Sequence, residues 1–299
     1  MPEPAQVLAS LPPRTRADLT TRSDSAGLMH LAKHASIILV LAGYVAAGLP
    51  LWRVALLPLG IALVFLFTLQ HECTHQTPFR SVWLNELVGH ICAVLIAQPF
   101  LWFRAFHLAH HRHTNDPHKD PELAGDAKPD SWSAFAWHLG TLGYWASKLR
   151  TLRDNARGSF DPTYVPPRAH ARLKTESRLL IALYAAAALF TLTVSPILIW
   201  IWIWALPLAL GFPVLRLYLL AEHGRCPQVA NMFENSRTTL TNKVVKLLAW
   251  NMPYHAEHHA YPNVPFHKLP DAHAVTAPHL TVIADGYVAF TKTYTLPLK

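Results

Sequence analysis

The sequence predicts an all-α integral membrane protein: four transmembrane helices in two hairpins, a re-entrant or interfacial segment between them, and a cytosolic helical cap. Three observations predict it. Apolar residues make up 52% of the 299 residues and charged residues only 15%, a low charge content for a water-soluble chain, and the mean hydropathy is positive at +0.18. Four apolar runs of near-spanning length come as two close pairs. The two short hairpin turns hold only Arg53 of the 26 Lys and Arg residues, so the positive-inside rule places both termini in the cytoplasm.

The net charge of +8 is spread over the segments flanking the apolar runs. It forms no single patch or helix stripe, which argues against nucleic acid as a partner. Cys73, Cys92 and Cys226 are odd in number and make no CxxC pair, which excludes a disulfide framework or a zinc ribbon. Cys73 reads as a small packing residue.

Residues up to about Ser25 are polar, with prolines at positions 2, 4, 12 and 13, and lack the apolar core of a signal peptide. Residues 1–30 are expected to be a flexible cytosolic tail, and residues 31–299 one membrane-embedded domain. His30, Lys33 and His34 read as the interfacial start of the first helix. Spans are predicted at about 35–51 and 53–70, near the lower limit of about 17 residues for crossing a bilayer core. If the second helix continues past the membrane surface, His71 and His75 sit one turn apart at the water boundary.

The apolar run 87–103 holds His90, Gln98 and Pro99. A full crossing there would separate His75 from His107, so the run is read as re-entrant or interfacial, with His90 in a packing or hydrogen-bonding role. Residues 115–177 are polar and form the cap. Spans at about 179–195 and 197–220 make the second hairpin around Ser195–Pro196, with Trp200, Trp202 and Trp204 as an aromatic belt. A polar connector with Asn231, Asn235 and Arg237 follows. His267, His273 and His279 lack metal-ligand spacing and read as surface residues.

Three histidine boxes stand beyond the ends of these runs: His71-Glu-Cys-Thr-His75, His107-Leu-Ala-His-His111 and His255-Ala-Glu-His-His259. On a helix, positions i, i+3 and i+4 share one face, and imidazole is the commonest metal ligand. With His223, just past the last span, nine histidines fall in place: His71, His75, His107, His110, His111, His223, His255, His258 and His259. Nine donors exceed one metal of any common geometry and suit two, and two redox metals close together can activate O2. Glu72, Glu222, Glu257, Asp116 and Asp120 are the acids available behind such ligands. Glu72 and Glu257, inside boxes one and three, are the candidate catalytic residues. His113 reads as exposed or behind the ligands rather than as a tenth ligand.

These boxes resemble those of the membrane fatty acid desaturase superfamily, which includes hydroxylases and carotenoid-modifying oxygenases. His223 corresponds to its extra histidine before the third box. Asp120-Pro-Glu122 and the run from Tyr254 through Pro265 are similar to its bacterial branch, and the likeness spans roughly Gln70 to Pro270. It implies a di-iron centre, O2 as co-substrate, and C–H cleavage on a fatty-acyl or other lipid-like chain in a bacterial inner membrane. Desaturation is the expected outcome; hydroxylation or ketone formation on a lipid, carotenoid or small amphiphile is the alternative. The chain carries no heme domain or rubredoxin-type cysteines, so a separate electron donor is expected, ferredoxin-like and acidic, on the basic cytosolic face. Glu72, where acyl-CoA desaturases carry Asp, weakens assignment to that subgroup.

Rival readings explain less. His71-Glu-Cys-Thr-His75 is also the HExxH of an intramembrane zinc protease, but that leaves seven histidines without a purpose. Glu72-x-x-His75 matches the soluble di-iron ExxH element, which needs a second copy that is absent. A His-rich metal transporter needs polar residues within its spans, and these are clean.

Overall fold

The computed structural model describes residues 2–125, 128–193 and 199–299. Among the described residues, four helices are long and apolar enough to cross a membrane: Asp24–Ala46, Trp52–His75, His170–Thr193 and Ile201–His223. Each reaches past its apolar run at one end: the first and third begin early, at Asp24 and His170, and the second and fourth run on to His75 and His223. In two antiparallel hairpins all four polar extensions fall on one side, which is the side of the cap. A helix persists into polar sequence when its end is satisfied. The first span shows how, since Ser23 Oγ accepts from Ala26 N–H at 3.2 Å, with Asp24 in the first turn. The Ser195–Pro196 turn predicted for the second hairpin lies outside the described residues.

The second and fourth spans form the centre of the slab. At Gly60 and Gly211 they meet backbone to backbone. A Cβ on Gly60 would stand 2.0 Å from Pro207 O, and one on Gly211 would stand 2.3 Å from Gly60 O. Around this contact Leu59, Leu63, Phe212 and Leu215 are buried, while the outer faces of the first and third spans expose Leu39, Val40, Leu189 and Leu192 as a lipid-facing surface does. The predicted aromatic belt is only partly present. Trp200 is 52% exposed, but Trp202 packs edge-on against Trp52 at 5.0 Å and Trp204 Nε1 donates to Leu95 O at 2.8 Å. Both indoles are half-buried against these neighbours.

Between the hairpins, helices Val82–Ile96 and Phe100–His113 are bent by 102° at Ala97–Pro99. Ala97 takes a left-handed φ of 54°, and Pro99 fixes the start of the second half. Glu176, from the third span, accepts from the N–H groups of Phe100 and Leu101 at 2.9 and 3.0 Å and so caps that helix from a neighbour. It also stands 3.0 Å from His90 Nδ1, which gives His90 the hydrogen-bonding role expected of it. The pair starts near the cap, where Ser81 bonds Asp24, and returns to it, as a re-entrant segment does.

The cap is built from short helices, among them Trp132–Gly140, Leu142–Arg157, Met232–Asn235, His255–Ala260 and Tyr287–Thr295. A two-residue parallel ladder pairs Thr238–Thr239 with Ile283–Ala284. The first thirty residues depart from the flexible tail expected of them. Pro4–Ser10 and Pro13–Leu19 are helical, and Val7 and Leu19 are buried with Phe233, Met252, Tyr254 and Tyr261. Tyr261 donates to Pro4 O at 2.7 Å, and Lys268 pairs with Asp18 at 2.7 Å. Two apolar side chains in a polar stretch suffice once a cavity of matching shape lies beneath them.

Candidate metal centre

The four box-bearing elements deliver their histidines to one place. His71 and His75 end the second span, His107, His110 and His111 end the re-entrant pair, His223 ends the fourth span, and His255, His258 and His259 lie on the short cap helix. His71, His75, His107, His111 and His258 each offer a ring nitrogen within 4.8 Å of the others. His110, His223 and His259 form a second group by the same measure, and His255 adjoins it, with Nε2 3.0 Å from His223 Nε2. All nine predicted histidines therefore converge, and they divide into two adjacent sets. His113 joins neither.

Nitrogen faces nitrogen throughout. His107 Nε2 lies 2.9 Å from His75 Nε2, His258 Nε2 3.1 Å from His111 Nε2, and His110 Nε2 3.2 Å from His223 Nε2. Two ligands bound at about 2.1 Å to one ion at right angles stand about 3 Å apart. Both nitrogens of His71 and Nε2 of His259 are buried with no hydrogen-bond partner among the described residues, a costly arrangement unless a cation takes their lone pairs. Burial first, then the neighbouring imidazoles, hold His255, His258 and His259 well below the ordinary 6.5, so they are neutral and ready to donate. The donor set fits a metal centre.

The far nitrogens are held from behind. His110 Nδ1 donates to Asp120 Oδ1 at 2.9 Å, and His223 Nδ1 to Asn235 O at 3.1 Å. Thr114 Oγ1 gives its proton to His110 O at 2.9 Å, so at 3.1 Å it accepts from His259 Nδ1 and leaves Nε2 bare. Glu222 Oε1 and Glu72 Oε1 stand 3.4 and 3.5 Å from Nδ1 of His255 and His258. Asp120, Asn235 and Thr114 fix tautomer and ring orientation, while the two glutamates flank their rings without a hydrogen bond. On the opposite side, Phe103 stacks on His107 at 5.4 Å and meets Phe67 at 5.2 Å, forming an apolar wall beside the first group.

The two candidate catalytic glutamates are placed otherwise than expected. Glu72 Oε2 accepts from Thr77 Oγ1 at 2.8 Å and Phe266 N at 3.2 Å, and its other oxygen faces His258. Its place behind His258 is that of a neighbour to a box histidine rather than of the base between two zinc ligands. Glu257 is taken up by Thr238 Oγ1 and His273 Nδ1. Its helix turns His255, His258 and His259 toward the cluster, so the residue between them points elsewhere. His273, expected at the surface, is therefore a structural partner. Asp120 is behind a ligand as anticipated, but Asp116 accepts from the loop N–H of His118 at 2.9 Å instead. Thr114, Asn235 and Glu122 have no spacing signal that marks them as neighbours of the boxes.

The profile of the family described as Fatty acid desaturase matches residues 26–293. The chain is 32% identical over 130 residues to an sn-1 oleoyl-lipid 12-desaturase of Anabaena variabilis, covering 37% of each chain. It is 36% identical over 55 residues to an sn-1 acyl-lipid omega-3 desaturase (ferredoxin) of Nostoc sp. (strain 36), covering 18% of this chain and 15% of that one. With a sphingolipid delta(4)-desaturase of Rattus norvegicus it shares 23% identity over 205 residues, 67% of this chain and 58% of the relative. The match to the Anabaena protein spans little more than a third of that relative's own length.

Proposed function

The chain belongs to the fatty acid desaturase family, and from that premise we propose that it is a di-iron, O2-dependent desaturase of a fatty-acyl or other lipid-like chain. The observation that supports this most is the division of nine buried histidines into two adjacent groups directly beneath an apolar slab. The nine are proposed as the ligands, with His110, His223, His255 and His259 serving one iron and the other five its neighbour. When bound, the iron pair supplies O2 activation strong enough to take hydrogen from an unactivated CH2–CH2 unit. The reaction balances as R–CH2–CH2–R′ + O2 + 2e⁻ + 2H⁺ → R–CH=CH–R′ + 2H2O.

The chain's own residues have three tasks in that reaction. Asp120, Asn235 and Thr114 hold ligand rings in the tautomer that leaves Nε2 free. Glu72 and Glu257 position box helices rather than touch substrate. Phe67 and Phe103 close one side of the first group against water and present an apolar surface to a hydrocarbon. The two electrons come from a separate donor. The printed name of the Nostoc relative includes ferredoxin, and the net charge of +8 favours an acidic partner of that kind. The scarcity of Lys and Arg in the hairpin turns supports a bacterial inner-membrane protein with its cap and termini in the cytoplasm.

The test pairs metal analysis of the detergent-purified full chain with lipid profiles of cells expressing wild type or His110→Ala. Two irons per chain and a new double bond, lost in the variant, are expected. A new hydroxyl would move the reading to the hydroxylases, and a single zinc with unchanged lipids would overturn it.

A further inference from the structure

Four carboxylates approach the candidate ligands, and three of them do so from behind. Asp120 meets His110 at Nδ1, Glu222 meets His255 at Nδ1, and Glu72 meets His258 at Nδ1. Glu122 differs. Its Oε2 lies 3.5 Å from Nε2 of His110, the nitrogen that faces His223 Nε2 at 3.2 Å. His110 is thus addressed by two carboxylates at once, one on each ring nitrogen, and only Asp120 occupies the side away from the cluster. A carboxylate oxygen beside the inward nitrogens stands where a metal donor stands.

The surroundings hold it there. Asp120 Oδ1 accepts from Glu122 N–H at 2.9 Å, so the residue that orients His110 also anchors the backbone of Glu122. Lys128 Nζ donates to Glu122 Oε1 at 2.6 Å, which leaves Oε2 as the oxygen turned toward His110. The Glu122 side chain is 34% exposed, and Lys128 and His223 both line a cavity of about 540 Å3, so this edge of the second group is less enclosed than the other.

We propose that Glu122 is a single-oxygen carboxylate ligand of the metal held by His110, His223, His255 and His259. The inference depends on the metal reading above. It makes the two positions differ in charge as well as in donor number, with neutral imidazoles alone at the first and an anionic oxygen added at the second. One negative charge about 2 Å from an ion favours its more highly charged state, so the second iron is the easier of the two to oxidise.

The test uses the full-length protein in detergent, loaded with 57Fe(II) without oxygen. Iron per chain and the Mössbauer doublets are compared for wild type, Glu122→Gln, Glu122→Ala and Lys128→Met. Glu122→Gln keeps the shape and an acceptor for Lys128, so it guards against misfolding, which size-exclusion profiles monitor. Expected are two irons with distinct doublets in wild type. In Glu122→Gln one doublet changes and the other does not, and the weaker iron loses about tenfold or more in affinity. Lys128→Met perturbs less than either glutamate variant. Two irons with unshifted doublets in both glutamate variants would overturn the proposal. So would an equal loss in Lys128→Met, which would reduce Glu122 to an ion-pair partner. A wild-type chain that takes up no iron pair would instead overturn the metal reading itself.

Discussion

Where the second and fourth spans meet at Gly60 and Gly211, the buried side chains around them are Leu59, Leu63, Phe212 and Leu215. About three helical turns further along the same two helices, the buried residues are His71, Glu72 and His223. In the first region no side chain needs a named partner; the constraint is volume, and it is tightest where two backbones touch. In the second many polar atoms have an assigned neighbour, and Nε2 of His259 is left bare in a way that a cation would explain. The comparison teaches that one helix can carry two kinds of specification, shape within the slab and atom-by-atom pairing in the cap. They should fail differently.

Removing a candidate ligand breaks the second kind most severely. His258→Ala takes a donor from the five-histidine group and exposes Glu72 Oε1 to an unfilled space. Loss of one iron per chain and a fall in double-bond formation beyond about 100-fold are expected, since even partners behind the ligands are worth 10- to 100-fold. Metal analysis and lipid profiles check both. A milder break is Asp120→Asn, which keeps the shape and one acceptor oxygen but removes the charge behind His110 and turns an amide NH2 toward the N–H of either Asn115 or Glu122. Iron affinity should fall about tenfold, and the lost hydrogen bond should lower the thermal midpoint of the metal-free protein modestly, as titration and unfolding in detergent would show.

The slab is broken through volume. Gly60→Leu places a side chain where Pro207 O already stands, and overpacking of this kind costs about 1–3 kcal/mol. The expected result is a lower unfolding midpoint, with iron per folded chain unchanged; loss of iron at wild-type stability would contradict the separation of the two regions. Leu192→Ala sharpens it from the other side. Leu192 is 84% exposed on the outer face of the third span, and the change should stay within about 0.5 kcal/mol and leave iron content alone.

Much of this was legible in the residue order. The four spans follow from long apolar runs, and the re-entrant segment from the requirement that His75 and His107 share a side. Eight of the nine histidines follow from i, i+3, i+4 spacing, which puts donors on one helix face before any tertiary contact exists, and His223 follows from its place just past the last span. Other features were not. Val7 and Leu19 lie in a stretch polar enough to pass for a tail, and only the surface under them makes them core. Trp202 and Trp204 have the composition of an interface belt, and their inward turn depends on Trp52 and the Leu95 carbonyl being within reach. Glu257 sits inside a box, yet the helix that aims its neighbours at the cluster rotates it toward His273.

By itself, then, the sequence determined which histidines share helix faces and that they collect at one end of the apolar runs, because helix periodicity and apolar length are local properties. The tertiary structure alone decided how nine donors divide into five and four, and which carboxylates stand behind a ring. It alone decided that Glu122 approaches His110 from the inward side. The division depends on the meeting of side chains from segments more than a hundred residues apart, such as His110 with His223 and His111 with His258, and no spacing along the chain encodes the angle at which they arrive.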